Sequence, residues 1–212
     1  GTGAEIWEQM GGKIDVFVYS LESGETQRVS VSDGGEQGND DSDLAAISGD
    51  GQYVAFYSLA SNLVISDTNE AADIFVHALA SGATTRISVD SLGNQAEGDS
   101  DVPAISADGR YITFYSYAED LVADDDNGFE DVFRHDRLTG ETIRVSIGAS
   151  GEQGNNTSLC SAISGDGQAA AFYSYATNLV PEDTNNQVDV FVRDLAPLIP
   201  RRIYLPVVSL TP

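Results

Sequence analysis

Four stretches decide the reading: Asp15–Leu21 (DVFVYSL), Asp73–Leu79 (DIFVHAL), Asp131–Arg137 (DVFRHDR) and Asp189–Leu195 (DVFVRDL). Each opens with aspartate, continues in β-branched and aromatic residues, and follows the one before at a step of 58 residues. The step holds around them. Arg28, Arg86, Arg144 and Arg202 keep it, as do Gly24, Gly82 and Gly140. A second block, AISGDGQYVAFYS, returns as AISADGRYITFYS and AISGDGQAAAFYS with Gly51, Gly109 and Gly167 in register. A fixed period of this length marks a stack of like units, each unable to bury its apolar face alone.

Each unit reads as four strands. AIS and YVAFYS flank a Gly-Asp-Gly or Ala-Asp-Gly turn, and Asp-Gly supplies the positive φ that a tight hairpin needs. DIFVHALA and TTRISV flank Ser-Gly, a second hairpin signal. Tyr53 to Tyr57 is apolar on both faces, as in strands buried on both sides of a sheet. The expectation is an all-β fold: a β-propeller of four-stranded antiparallel blades, about 3.5 to 4 of them. A β-sandwich is the alternative, but it does not call for a four-strand period. The hairpins supply fourteen strands where four blades need sixteen. Glu5 to Gln9 is a candidate to pair with Ile14 to Tyr19, and Arg202-Ile203 falls in register with the fourth strand of the earlier units. The resulting division is an N-terminal segment over 1–14, repeats over 15–208 and a tail over 209–212.

The runs Ser48–Phe56, Ser106–Phe114 and Ser164–Phe172 share S-x-D-G-x-x-x-x-F and resemble the repeats of TolB-type (WD40-like) bacterial propellers. The phrase N-L-V-x-x-D-T-N-x-x-x-D-V-F-V-R-D, over 178–194, is similar to a subgroup common in secreted bacterial proteins. The resemblance covers 15–208. It implies the propeller and says little of function, because propellers host binding, scaffolding and catalysis alike.

The chain carries 10 Lys plus Arg against 34 Asp plus Glu, a net charge of −24. Such a field repels nucleic acid and anionic lipid and attracts cations. No apolar run reaches the roughly 20 residues of a membrane helix. Cys160 is the one cysteine, so no intrachain disulfide forms, and a buried thiol is expected. Composition and resemblance together place the protein outside the cell or at its surface.

The candidate chemistry lies in a loop with the skeleton D-x-N-x-x-x-D: Asp67, Asn69 and Asp73; Asp125, Asn127 and Asp131; Asp183, Asn185 and Asp189. Carboxylates and an amide oxygen on alternate positions suit calcium, which takes six to eight oxygen ligands. Magnesium wants stricter geometry, and transition metals want the His and Cys these loops lack. The same residues also suit Asx-turns that cap their own backbone. The first unit, Gln9 to Asp15, keeps only the last aspartate. A second acidic stretch follows each arginine strand (34–43, 93–101, 151–158) and reads as a solvated loop; it includes the N-x-T pattern at Asn155. Arg28, Arg86 and Arg144 are expected to bridge carboxylates between blades.

His77 and His135 share one repeat slot, where other units have Tyr19 and Arg193, and read as strand-surface positions. No nucleophile elbow, zinc-protease helix or phosphate loop is present. The function expected is non-catalytic: an extracellular structural or self-assembling scaffold with calcium-stiffened blades. Self-association would run through an incomplete blade or a C-terminal strand. A protein- or glycan-binding propeller, using Tyr57, Tyr115, Tyr117, Tyr173 and Tyr175, is the alternative; a lyase or hydrolase using the channel ranks below both.

Overall fold

The structure is a computed structural model that describes residues 13–196. The strands proposed at Glu5–Gln9 and at Arg202–Ile203 lie outside the described residues. Thirteen strands form four antiparallel sheets. The first pairs β1 (Phe17–Tyr19) with β2 (Thr26–Arg28). The second runs β3 (Ser42–Ile47), β4 (Tyr53–Ser58), β5 (Asp73–Ala78) and β6 (Ala83–Arg86) in chain order. The third repeats it with β7 (Ser100–Ile105), β8 (Tyr111–Ser116), β9 (Asp131–Asp136) and β10 (Glu141–Arg144). The fourth holds β11 (Ser158–Ile163), β12 (Ala169–Ser174) and β13 (Asp189–Asp194). The two middle sheets are complete propeller blades, as the 58-residue period requires.

Alternation along the strands decides which blade each side chain meets. On β5, Ile74 and Val76 join Ile112, Phe114 and Phe133 of the third sheet, while Phe75 turns back to Val16 and Val29 of the first. The next junction repeats this with Val132, Val145, Ala170, Phe172 and Phe191. Within each of the last three blades a cross-strand phenylalanine pair stacks: Phe56–Phe75, Phe114–Phe133 and Phe172–Phe191, with centroids 5.8, 6.0 and 5.8 Å apart. Phe56, Phe75, Phe114 and Phe133 are wholly buried, each contributing about 2–3 kcal/mol by area. Backbone bonds also cross the junctions: Asp50 N donates to Ala107 O at 2.9 Å, and Ala107 N to Gly165 O at 2.8 Å.

Each innermost strand carries a β-bulge. The register shifts between Asp43 and Ala46, Asp101 and Ala104, and Leu159 and Ala162. Leu44, Val102 and Cys160 sit there at φ 48°, 48° and 49°. Such conformations are costly for side-chain-bearing residues and persist only where the surroundings over-determine them. The bulge also corrects the expected burial of Cys160, which is exposed.

Two further expectations are corrected. His77 and His135 are not on the strand surface; they are 1% and 6% exposed and packed at blade junctions. Arg86 and Arg144 do not bridge blades; each grips two carboxylates of its own repeat unit.

Candidate functional site

The D-x-N-x-x-x-D loops join the second and third strands of a blade. Two left-handed residues shape each one: Ser66 and Glu70, Asp124 and Gly128, Glu182 and Asn186. Between them the asparagine builds an Asx-turn. Asn69 Oδ1 accepts from Ala71 N at 3.3 Å, Asn127 Oδ1 from Phe129 N at 2.9 Å and Asn185 Oδ1 from Gln187 N at 2.8 Å. The amide nitrogens then donate to the final aspartate, to Asp73, Asp131 and Asp189 at 3.2, 3.0 and 3.1 Å. Asn69 and Asn127 also hold the carbonyls of Ala96 and Gly154 at 2.8 and 2.9 Å. The expected ligand oxygens of these amides are thus turned to the backbone.

The positive charge that the carboxylates face is a guanidinium. Arg86 Nη2 lies 3.0 Å from Asp67 Oδ1, and its Nε 3.3 Å from Asp73 Oδ2. Arg144 repeats this on Asp125 and Asp131 at 3.1 and 3.5 Å. The arginine is oriented by Gln95, whose Oε1 accepts from Arg86 Nη1 at 2.5 Å, and by Gln153 toward Arg144 at 2.6 Å. Ser88 and Ser146 donate to the second oxygens of Asp73 and Asp131. In the first unit Arg28 lies 3.5 Å from Asp15 Oδ2 and Ser30 donates to Asp15 Oδ1, but Gln37 donates directly to Asp15 Oδ2 at 2.7 Å instead of accepting from the arginine. Asp183, Asn185 and Asp189 occupy the same places in the last blade, while Arg202, the fourth arginine of the series, lies outside the described residues.

These ion pairs are dry. The Arg86 and Arg144 side chains are both 7% exposed, and Asp73 and Asp131 are fully buried. Burial pushes the carboxyls of Asp73 and Asp125 up to about 6, with the arginines pulling the other way. Asp67 and Asp131 move in the same direction for the same cause. Desolvation therefore outweighs the attraction, as is common for buried pairs. Among the described residues no group of three or more His, Cys, Asp or Glu side chains is placed to hold a metal ion.

The arginine and its glutamine complete a site of which the aspartates and asparagine are only half. Gln37, Gln95 and Gln153, and Ser30, Ser88 and Ser146, recur at the same 58-residue step, so the periodicity was the signal that would have found them. Within the acidic stretches after the arginine strands, Asp41 and Asp99 accept from the backbone of Ile14 and Ala72, both at 2.8 Å, and strap one unit to the next. The Asn155 amide is held by Thr177 at 3.0 Å.

Tyr115 donates to Asp101 Oδ2 at 3.0 Å, and Tyr57 is half-buried against the core of the second junction. Tyr173 meets Tyr175 edge-on, with centroids 6.3 Å apart. Tyr117 and Tyr175 are exposed.

Repeating four-stranded sheets, stacked through apolar junctions and locked by an arginine clamp in each complete unit, define a β-propeller. No family model matches the chain, and no curated protein matches it. Solved structures do. TolB from Acinetobacter baumannii is similar over 85% of this chain and 35% of its own, at a TM-score of 0.52 and 16% identity. A prolyl endopeptidase is similar over 86% and 25%, at 0.52 and 17%. Hydrazine synthase of Kuenenia stuttgartiensis is similar over 85% and 27%, at 0.51 and 12%. The likeness is one of fold, and the chain spans only a quarter to about a third of these structures. No helix among the described residues is long and apolar enough to cross a membrane.

Proposed function

We propose that the protein is a non-catalytic, extracellular scaffold module that associates with another copy of itself through the face of its last described blade. One observation carries this reading. Val190 and Val192 on β13 are 77% and 74% exposed, whereas Ile74, Val76 and Val132, in the same repeat slots, are 0%, 1% and 0% exposed. Inside the chain those slots are covered by the next 58-residue unit, so a unit of the same pattern fits the bare face. At the other end Phe17 is 42% exposed, while Phe75 and Phe133 in its slot are wholly buried. Exposed valines side by side on one strand face suit an association site.

Sedimentation of the wild type and of a Val190→Lys, Val192→Lys variant tests the proposal. Concentration-dependent assembly of the wild type, lost in the variant, supports it; a wild type that stays monomeric at all concentrations refutes it.

Calcium belongs to this reading as a stabiliser. Two carboxylates flank one guanidinium in each loop, and Asp124 and Asp126 add two more around the middle one. Calcium would bind beside the guanidinium. A midpoint of thermal unfolding raised by calcium and lowered by chelator supports it, and an unmoved midpoint removes calcium from the account.

The second reading, a protein- or glycan-binding face, draws on Tyr117 and Tyr175, 58% and 48% exposed in one repeat slot. A glycan and peptide array whose hits vanish in a Tyr117→Ala, Tyr175→Ala variant would favour it.

A further inference from the structure

We infer that His77 and His135 are acid-sensitive fasteners between consecutive blades. Each lies on the third strand of its sheet and is tied to the preceding blade through one hydroxyl. Thr84 Oγ1 donates to Val31 O at 2.5 Å and lies 2.9 Å from His77 Nδ1. Thr142 Oγ1 donates to Val89 O at 2.6 Å and lies 2.9 Å from His135 Nδ1. The threonine amides cross the same junctions, to Asp33 Oδ1 at 2.7 Å and to Ser91 Oγ at 3.0 Å.

A hydroxyl has one hydrogen, and here the carbonyl takes it. Toward the ring the hydroxyl is an acceptor, so Nδ1 carries the proton of the neutral imidazole and Nε2 is bare. A second proton must go to Nε2. In His77 that atom is buried and, among the described residues, has no hydrogen-bond partner. Protonation there adds a charge at a buried atom with no hydrogen-bond acceptor beside it. Burial already holds both imidazoles below the ordinary histidine range.

The surrounding charges do not cancel this. His77 faces the Asp33 carboxylate, which favours the cation, and Arg28 lines the same hollow. His135 faces Asp136 on its own strand, opposed by Arg137, with Arg86 and Asp90 lining its hollow from the preceding blade. Asp136 is committed to Arg110 through two bonds of 2.9 and 2.7 Å. The third junction differs. Arg193 stands in the histidine slot and reaches Ile147 O, the counterpart of Val31 O and Val89 O, at 3.4 Å. That junction therefore holds no imidazole. Among the described residues two blade junctions carry a histidine fastener and one carries an arginine in its place.

The sign follows from the lowered histidine values. The fasteners contribute fully above the unfolded value of about 6.5 and lose their contribution as pH falls through the lower folded value. The test is a His77→Asn, His135→Asn variant, in which the asparagine amide replaces Nδ1–H as donor to the threonine without titrating. Between pH 8 and pH 5 the wild-type melting midpoint should fall relative to the variant by about 4 °C, roughly the effect of 1–2 kcal/mol in a chain of this size. Amide exchange at Thr84 and Thr142, corrected for intrinsic pH dependence, should quicken over the same range in the wild type alone. Imidazole titration by NMR in the wild type gives an answer even if the variant folds poorly: both rings should titrate below the ordinary value. Equal acid shifts in the two proteins, or rings titrating at or above the ordinary value, would overturn the inference.

Discussion

Alanine at Gly167 would set its methyl carbon 2.1 Å from Cδ2 of Tyr111, and at Gly109 it would lie 2.2 Å from Cδ2 of Tyr53. Gly51, in the same turn of the second blade, has nothing within 4 Å of that position. All three glycines share the left-handed conformation, at φ 69°, 70° and 70°, so all three substitutions pay about 1–2 kcal/mol for a Cβ in that region. Only two must also move a ring. Carbon atoms rest about 3.5–4.0 Å apart, so the tyrosine has to retreat by more than an ångström. It is not free to do so. Arg137 stacks 4.3 Å from the Tyr53 ring centre, and Arg110 and Arg134 lie 4.7 and 4.8 Å from that of Tyr111. Overpacking of this kind costs about 1–3 kcal/mol. Gly51→Ala should therefore lose about 1–2 kcal/mol, and Gly109→Ala and Gly167→Ala about 2–5 kcal/mol. Equilibrium urea unfolding followed by tyrosine fluorescence measures the difference. In a Tyr111→Ala background the extra cost of Gly167→Ala should vanish, since the double-mutant cycle removes the atoms that collide. Equal losses for all three alanines, or no recovery without Tyr111, would refute the proposed seating of each ring against the next blade's turn.

The arginine clamp makes its own prediction: Arg86→Met leaves Asp67 and Asp73 buried without their cation and should cost about 3–5 kcal/mol, and adding Asp67→Asn and Asp73→Asn should restore part of it, as urea midpoints will show. The raised carboxyls act on pH stability with the opposite sign to the histidines. Ionising Asp73 and Asp125 penalises the folded state, so their contribution is greatest below the unfolded value of about 4 and declines as pH rises through about 6. In the His77→Asn, His135→Asn background, thermal midpoints should accordingly rise from pH 7 to pH 4.5, and Asp73→Asn with Asp125→Asn should flatten that rise. Cys160, exposed at its bulge, should react with a thiol reagent in the native protein as fast as after unfolding; strong native protection would contradict the exposed bulge.

Where the sequence spoke clearly, the signal was local and repeated. Asp-Gly at 50–51, 108–109 and 166–167 marks a turn by its own backbone chemistry, and the 58-residue step turns three such marks into a stack of blades. The partner of each aspartate pair was harder to read. Arg86 lies 13 residues beyond Asp73, and only the pairing of β5 with β6 brings them together. A reading confined to the loop sees the acids without the arginine that pairs with them. The histidines misled in a related way. A slot filled by Tyr19, His77, His135 and Arg193 looks tolerant and therefore exposed, yet every one of these side chains carries a polar tip, and in His77 and His135 that tip meets a threonine hydroxyl that itself donates to a carbonyl of the preceding blade. Burial of a polar residue depends on a partner tens of residues away, which strand periodicity does not report. Cys160 was misplaced because a bulge with a non-glycine residue at positive φ leaves no mark in composition.

Thiol protection as a function of concentration tests the central claim most directly, in a Cys160→Ser background carrying either Val192→Cys or Val76→Cys. These positions are one repeat slot, 74% and 1% exposed. If blade faces are made to be covered by a further unit, the thiol at 76 is protected at every dilution, and the thiol at 192 reacts when dilute and becomes protected as the protein is concentrated. A thiol at 192 that reacts at one undiminished rate across the whole range would contradict the account.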